Sequence, residues 1–551
     1  MRFAINTASE IVPVRAHDGV RVLLDGTPDG LGRISIDLSQ RSAETHCLVS
    51  LPAHPNDFGA SRVRLSMEAA YIGGIGPTSF VVYVVGFANG RQASQQAIRF
   101  VADEERAGIL LDVEPLGNAD AYQLVIYADR LQRGTLQLGN VHLIAGAHRF
   151  HLARGRHRIT AVDLERRWFQ DGDRVLCASP FGEHWARMPD QWRLDAVHPA
   201  ALAAADWILY APLLDLAFGA TVPPPLPASG VRRPPGRHTL LSFSAGTDST
   251  AALTLLPDQS FRYYCERAFD GYRLGSGARI TLPDPRPWDE RLQRVDNLTV
   301  VPNTFELARV AAGGRLGFAH RYGYAAIGLL LADHLEAGVL AFGSVMEQVF
   351  LRLGHLFTDV VAHPRSTYHA LRRVLEGAGL ALALPTGGCS EVLTTRISDL
   401  GRYSGLAISC PNTSPDGHPC GSCFKCFRKL RLQGVTSLPD PDPGVEAVLK
   451  AYPLKSATSV VRAAQESGYR HPALERYRAL DLGFLDRYFD YGIEHLLPPS
   501  LAEHARLELS ALGIRPMAPE DEWRLRTIGQ VFWPESFSWS RAGLSDPAAT
   551  A

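Results

Sequence analysis

The 551 residues exceed what one ordinary core organises, so several domains are expected. Fifty-six Lys and Arg side chains against 57 Asp and Glu leave a formal net charge of −1, which offers no global surface for a polyanion and gives no indication of nucleic acid as the main partner. No apolar run reaches the length of a membrane span, and the start Met-Arg-Phe-Ala-Ile-Asn lacks a signal-peptide core, so a cytoplasmic protein with reduced thiols is expected.

Residues 1–150 alternate apolar and polar in short runs such as Phe80-Val-Val-Tyr-Val-Val and Tyr122-Gln-Leu-Val-Ile-Tyr. With Gly and Asn between the runs, the pattern predicts a β-sandwich or jelly-roll-like accessory domain, a module that can offer a surface to a saccharide or a partner protein. Residues 151–230 read as a mixed α/β connector. It holds one Ala-rich helix after His198 and ends in the Pro-rich linker Val222-Pro-Pro-Pro-Leu-Pro-Ala-Ser-Gly.

After the linker, Leu240-Leu241-Ser242-Phe243 leads into Ser244-Ala245-Gly246-Thr247-Asp248-Ser249-Thr250 and then an apolar helix. A loop of small residues lets backbone N–H groups approach an anion, and the positive end of the following helix points at the same place. The candidate phosphate-binding residues are Ser242, Ser244, Gly246, Thr247, Asp248, Ser249 and Thr250. Asp248 is placed to hold Mg²⁺ or orient loop donors, with an N-cap as the plainer role. The competing phosphate loop, Gly-x-x-x-x-Gly-Lys-Ser/Thr, is excluded because the chain has no Gly-Lys pair.

Further on, Cys410, Cys420, Cys423 and Cys426 stand close together, the last three in overlapping C-x-x-C turns. Four thiolates at this density predict a closed, structural Zn²⁺ site, with redox or disulfide chemistry as the competitor. His418 is an alternative ligand on a Gly-Pro-flanked loop. Residues 436–551 alternate helix-like runs with Pro breaks and predict a helical extension that packs on the core or makes a homodimer contact.

The loop resembles the Ser-Gly-Gly-x-Asp-Ser motif of the PP-loop ATP pyrophosphatases, with Ala245 where that family has glycine. With the cysteine cluster, residues 238–432 resemble the 7-cyano-7-deazaguanine synthase family within it. The resemblance implies an α/β fold, the doubly wound parallel sheet of the adenine nucleotide alpha hydrolase (HUP-like) class, over a catalytic domain at 231–435. It also implies ATP, Mg²⁺ and Zn²⁺ as cofactors, a ligase activity that adenylates a carboxylate or amide oxygen, and transfer of nitrogen to give an amide or nitrile. The partners would be a carboxylate or base-like small molecule and a nitrogen donor.

Gly317-Phe-Ala-His-Arg321, Val339-Leu-Ala-Phe-Gly343 and Ser390-Glu-Val-Leu-Thr-Thr-Arg396 look like the family's intervening elements. They make Arg321 the first candidate phosphate clamp, Arg396 the second, and Gly343 part of the nucleotide site. Glu347, just past the strand end, is a candidate substrate or metal contact. The family's Asp, Tyr-Pro-Asp substrate signature is absent after Gly343. All four lysines, Lys425, Lys429, Lys450 and Lys455, lie at or beyond the cysteine cluster, so a clamp upstream of it falls to arginine. Two other readings remain: a sulfur-transferring, tRNA-modifying PP-loop enzyme using Cys265 or Cys389, and a non-catalytic nucleotide-sensing or assembly subunit.

Overall fold

The protein is described from a computed structural model. The described residues before the linker are 2–4, 15–16, 21–25, 33–38, 47–50, 54–55, 63–73, 78–102, 104, 107–113, 121–128, 134–145, 149–151, 155–157, 168–179 and 182–218. Those after it are 225, 233–234, 236–269, 291–311, 315–364, 366–410 and 418–533. The expected linker at 222–230, except Pro225, and the C-terminal tail lie outside them. The chain forms two compact units that interleave in sequence. The first comprises Met1–Pro225, Glu266–Leu282 and Val301–Leu330, and the second Leu226–Cys265, Pro283–Val300 and Leu331–Ala551.

In the first unit, the alternating runs form two largely antiparallel sheets, one built around Val63–Ile72 and Thr135–Ala145 and the other around Thr78–Ala88 and Ala121–Ala128. Phe80, Val82 and Val84 are buried on one face, and on the other Val81 and Val85 are buried too while Ser79 and Tyr83 are partly exposed. Tyr71 of one sheet meets Phe80 of the other edge-on at 5.4 Å between ring centres, so the apolar faces close on each other as a sandwich. Among the described residues no helix is long and apolar enough to cross a membrane.

In the second unit, the strand His238–Ser242 lies between two parallel neighbours, Phe261–Arg267 and Ala337–Phe342, and the latter pairs in parallel with Ala381–Ala383. The helix that leaves the first strand, Thr247–Thr254 (the loop helix), is apolar on the face carrying Ala251, Ala252 and Leu255. That face packs with Leu393 and Ile397 of the helix Glu391–Leu400 (the glutamate helix). Ala505 and Leu509 of the C-terminal helix Pro499–Ala511 complete this core.

The expected doubly wound parallel sheet is not what forms. In the first unit, Trp168–Asp171, Arg174–Ser179 and Gly182–Arg187 lie side by side in that order, next to Leu298–Asn303. The first three pair antiparallel, and Gly182–Arg187 joins Leu298–Asn303 antiparallel at Ala186 opposite Asn303, so the sheet is mixed. The outermost pair has a local cause, the tight turn Asp171-Gly172-Asp173-Arg174, in which Gly172 takes φ +58° and reverses the chain after two residues. Such a hairpin can extend a sheet only with antiparallel strands.

Candidate functional site

The loop is held by its own hydroxyls. Ser249 Oγ donates to Gly246 O at 2.9 Å and lies 3.0 Å from Ser244 Oγ, while Thr247 Oγ1 lies 2.7 Å from Ser409 Oγ. Ser409 Oγ also accepts from Thr247 N–H at 3.0 Å, capping one of the free N–H groups of the loop helix. Ala245 is buried at φ +53°, the left-handed conformation that glycine adopts most readily, and its carbonyl accepts from Ile408 N–H at 2.8 Å. The added methyl is therefore accommodated at a backbone cost of about 1–2 kcal/mol.

The expected phosphate ligands separate into two groups. Ser244 is exposed and Gly246 partly so, whereas Thr250 is fully buried with its Oγ1 facing no hydrogen-bond partner among the described residues. Ser242 ends the strand, opposite Tyr263 and Phe342. Gly343 serves the loop by its smallness: a Cβ there would stand 2.7 Å from Asp248 O and 2.8 Å from Ser249 Cα.

Asp248 is the centre of the site. Its Oδ1 accepts from Thr394 Oγ1 at 2.8 Å and from Lys429 Nζ at 2.7 Å. The same ammonium lies 3.2 Å from Glu391 Oε1, and Arg428 pairs with the other oxygen of Glu391. Lys429 and Glu391 are 6% and 5% exposed, so these charges are stable only as a matched set. Burial works against the ionised Glu391, yet Lys429 and Arg428 prevail and hold its carboxyl at about 2. Burial likewise opposes the Lys429 ammonium, but Asp248 and Glu391 outweigh it and keep the lysine protonated above its ordinary value.

Glu347 stands behind this group. Its Oε2 accepts the backbone N–H of Glu391 at 2.8 Å, the first position of the glutamate helix. Burial and the neighbouring Glu391 carboxylate push its own carboxyl up to about 8. Glu347 therefore supports Glu391 from below, and its contacts are a helix end and Thr458 Oγ1 at 3.4 Å.

The two arginine clamps expected from the sequence have other places. Arg396 is occupied by Glu466 and Asp486, each at 3.0 Å, on a partly exposed part of the second unit. Arg321 belongs to the first unit, where its guanidinium lies 5.9 Å from the centre of the Tyr322 ring. The cation at Asp248 is instead Lys429. Its signal in the sequence was the spacing Cys423-x-x-Cys426-x-x-Lys429, which puts Cys426 and Lys429 one turn apart on a single helix, Phe424–Leu432 (the cysteine helix). Glu391 and Thr394 stood in the segment Ser390–Arg396, but only packing of the two helices reveals that they face Asp248.

Cys410, Cys420, Cys423 and Cys426 bring their sulfurs within 4.8 Å of one another, with separations of 3.5, 3.9 and 3.9 Å among three of the pairs. A tetrahedral thiolate site with bonds of about 2.3 Å has edges of about 3.8 Å, so the four side chains fit a bound metal ion. Those separations are far beyond a disulfide bond, and none of the four cysteines is in a disulfide. Gly421, at φ +76°, makes the turn between Cys420 and Cys423, and a Cβ there would strike the Pro439 ring at 2.8 Å. His418 is exposed and stands outside the four-sulfur group.

A cavity of about 240 Å³ opens between the loop and the cysteines, lined among others by Thr247, Ser409, Arg291, Lys425, Lys429 and Cys426. Among the described residues no carboxylate lines it. Its chemistry is that of a receptor for an anion, with two hydroxyls, three cations and the end of the loop helix around one space.

Among solved structures, the chain is similar to a xylan-binding domain from Paenibacillus barcinonensis, at 12% identity over 26% of this chain and 92% of that one, with a TM-score of 0.20. A family 11 carbohydrate-binding module of a cellulosomal cellulase from Clostridium thermocellum shares 9% identity over 26% and 95%, with a TM-score of 0.19. Comparison with curated proteins finds no match. Residues 370–529, which carry Glu391, the four cysteines and Lys429, match the model of a family of unknown function, DUF6395.

Proposed function

We propose that the second unit is an ATP-dependent, AMP-forming ligase whose phosphate site is the loop 244–250 and whose cysteines hold Zn²⁺. The observation that carries this reading is the juxtaposition of Asp248, at the start of the loop helix, with Lys429 beside a cavity also lined by Arg291 and Lys425. Phosphates bind against the exposed end of the loop and the helix N-terminus. Asp248 would hold Mg²⁺, which when bound neutralises phosphate charge. An acceptor carboxylate oxygen attacks the α-phosphorus, and pyrophosphate leaves. Ammonia or an amine then attacks the acyl carbon, AMP departs with that oxygen, and the nitrogen gives up a proton to solvent. Charge placement by Lys429, Arg291 and Lys425 supplies the stabilisation, and no covalent enzyme nucleophile is needed.

The sulfur-transfer alternative is less well served. Cys389 is buried, and that burial pushes its thiol far above its ordinary range, the opposite of a reactive thiolate. The decisive experiment is pyrophosphate release from ATP by the full chain, with ammonium and a panel of carboxylates including 7-carboxy-7-deazaguanine, beside Asp248→Asn. Release that depends on an acceptor and is lost in the variant supports the ligase. ATP binding without release under every condition replaces it with a nucleotide-sensing role.

A further inference from the structure

We propose that Lys429 is the residue that takes the phosphate oxygens of a nucleotide bound at the loop, and that a metal ion held by the four cysteines fixes it there. The proposal rests on the nucleotide reading above.

Lys429 is the only one of the four lysines that is buried. An ammonium carries three N–H donors. Two are directed to Asp248 and Glu391, and the side chain also borders the cavity, so among the described residues one donor is left for a ligand there. The surrounding charges are already balanced, with Asp248 and Glu391 against Lys429 and Arg428. An incoming phosphate that draws Lys429 toward the cavity releases Asp248 for the cation that accompanies the nucleotide.

The position of Lys429 is set by the helix that carries it. The cysteine helix has nine residues, too few to be stable alone. Its N-cap is Cys423, which makes no side-chain capping bond, and Cys426 lies one turn before Lys429. The start of this helix carries two of the four sulfurs, which a metal ion, when bound, would join to Cys410 and Cys420. The cavity is lined by Cys410 and Cys426 as well as by Thr247, so anion site and metal site share lining residues. Without the metal the first turn loses its anchor, and the buried ammonium loses its fixed approach to Asp248.

The test uses the full chain loaded with zinc and titrated calorimetrically with ATP, pyrophosphate and AMP. Lys429→Gln is expected to weaken ATP and pyrophosphate by about tenfold or more, the size of one charge-assisted contact, while AMP changes far less and Lys429→Arg restores binding. Removing the metal is expected to reproduce the Lys429→Gln pattern and to speed amide hydrogen exchange in both 424–432 and 247–254. Unchanged pyrophosphate affinity in Lys429→Gln, or in the metal-free chain, overturns the proposal. If the loaded wild type binds none of the three ligands, the nucleotide reading falls and the phosphate role of Lys429 with it. Hydrogen exchange still decides the metal role, because faster exchange confined to 424–432 excludes it.

Discussion

Lys429 Nζ lies 2.7 Å from Asp248 Oδ1 although 181 positions separate the two residues in the chain. One residue starts the helix after the phosphate-type loop, and the other sits a turn beyond the last cysteine. Their contact makes two sequence signals into one site, because a lysine at this depth is retained only where carboxylates meet it.

Glu391 should be the most stability-critical charge of the group. Glu391→Gln leaves Lys429 and Arg428 without their shared carboxylate, and breaking a buried pair of this kind costs about 3–5 kcal/mol. Urea unfolding followed by circular dichroism measures it. A loss below 1 kcal/mol would mean that the network contributes little.

The two glutamates give opposite pH dependences. Glu391, held at about 2, contributes stability above the unfolded carboxyl value of 4.5 that is lost as pH falls from there toward 2. Glu347, raised to about 8, binds its proton more tightly when folded, so its contribution is present below 4.5 and is lost as pH rises through 8. Glu347→Gln, which keeps the neutral form, should flatten the decline of stability between pH 5 and 9. Thermal melts across that range test this, and a slope equal to the wild type's would remove the assignment.

Gly343 should tolerate no side chain. The Cβ of Gly343→Ala would meet backbone atoms of Asp248 and Ser249, which cannot swing aside, so the loop helix must shift at about 1–3 kcal/mol. Denaturation gives the stability loss. A structure of the variant with the loop helix in its original place would contradict the packing role.

Ala245 offers the reverse case. Ala245→Gly removes the left-handed strain and should change stability by no more than about 1 kcal/mol, because glycine's greater freedom in the unfolded chain offsets the relief. Ala245→Val, β-branched and fully buried at the same φ, should destabilise by about 2 kcal/mol or more. Equal stability of the two variants would show that the strain is not felt.

The metal centre is tested by content. The chain should bind one zinc per molecule, and Cys426→Ser should abolish it while Cys426→His, which keeps a ligand atom, should retain part of it. Elemental analysis of purified protein decides. Full metal content in Cys426→Ser would exclude the four-sulfur site.

Sequence by itself determined what depends on neighbours along the chain. The β-branched and aromatic run in 78–88 specifies a strand, the small-residue run 244–249 specifies a strand-to-helix turn, and the spacing of Cys420, Cys423 and Cys426 gathers sulfurs within one or two turns. These follow from backbone periodicity and short-range reach. Tertiary structure alone decided which cation meets Asp248, that Arg396 is taken by Glu466 and Asp486, and that Gly182–Arg187 pairs antiparallel with Leu298–Asn303. Each of those depends on which helix face or strand edge packs where, and that is fixed by burial summed over distant segments.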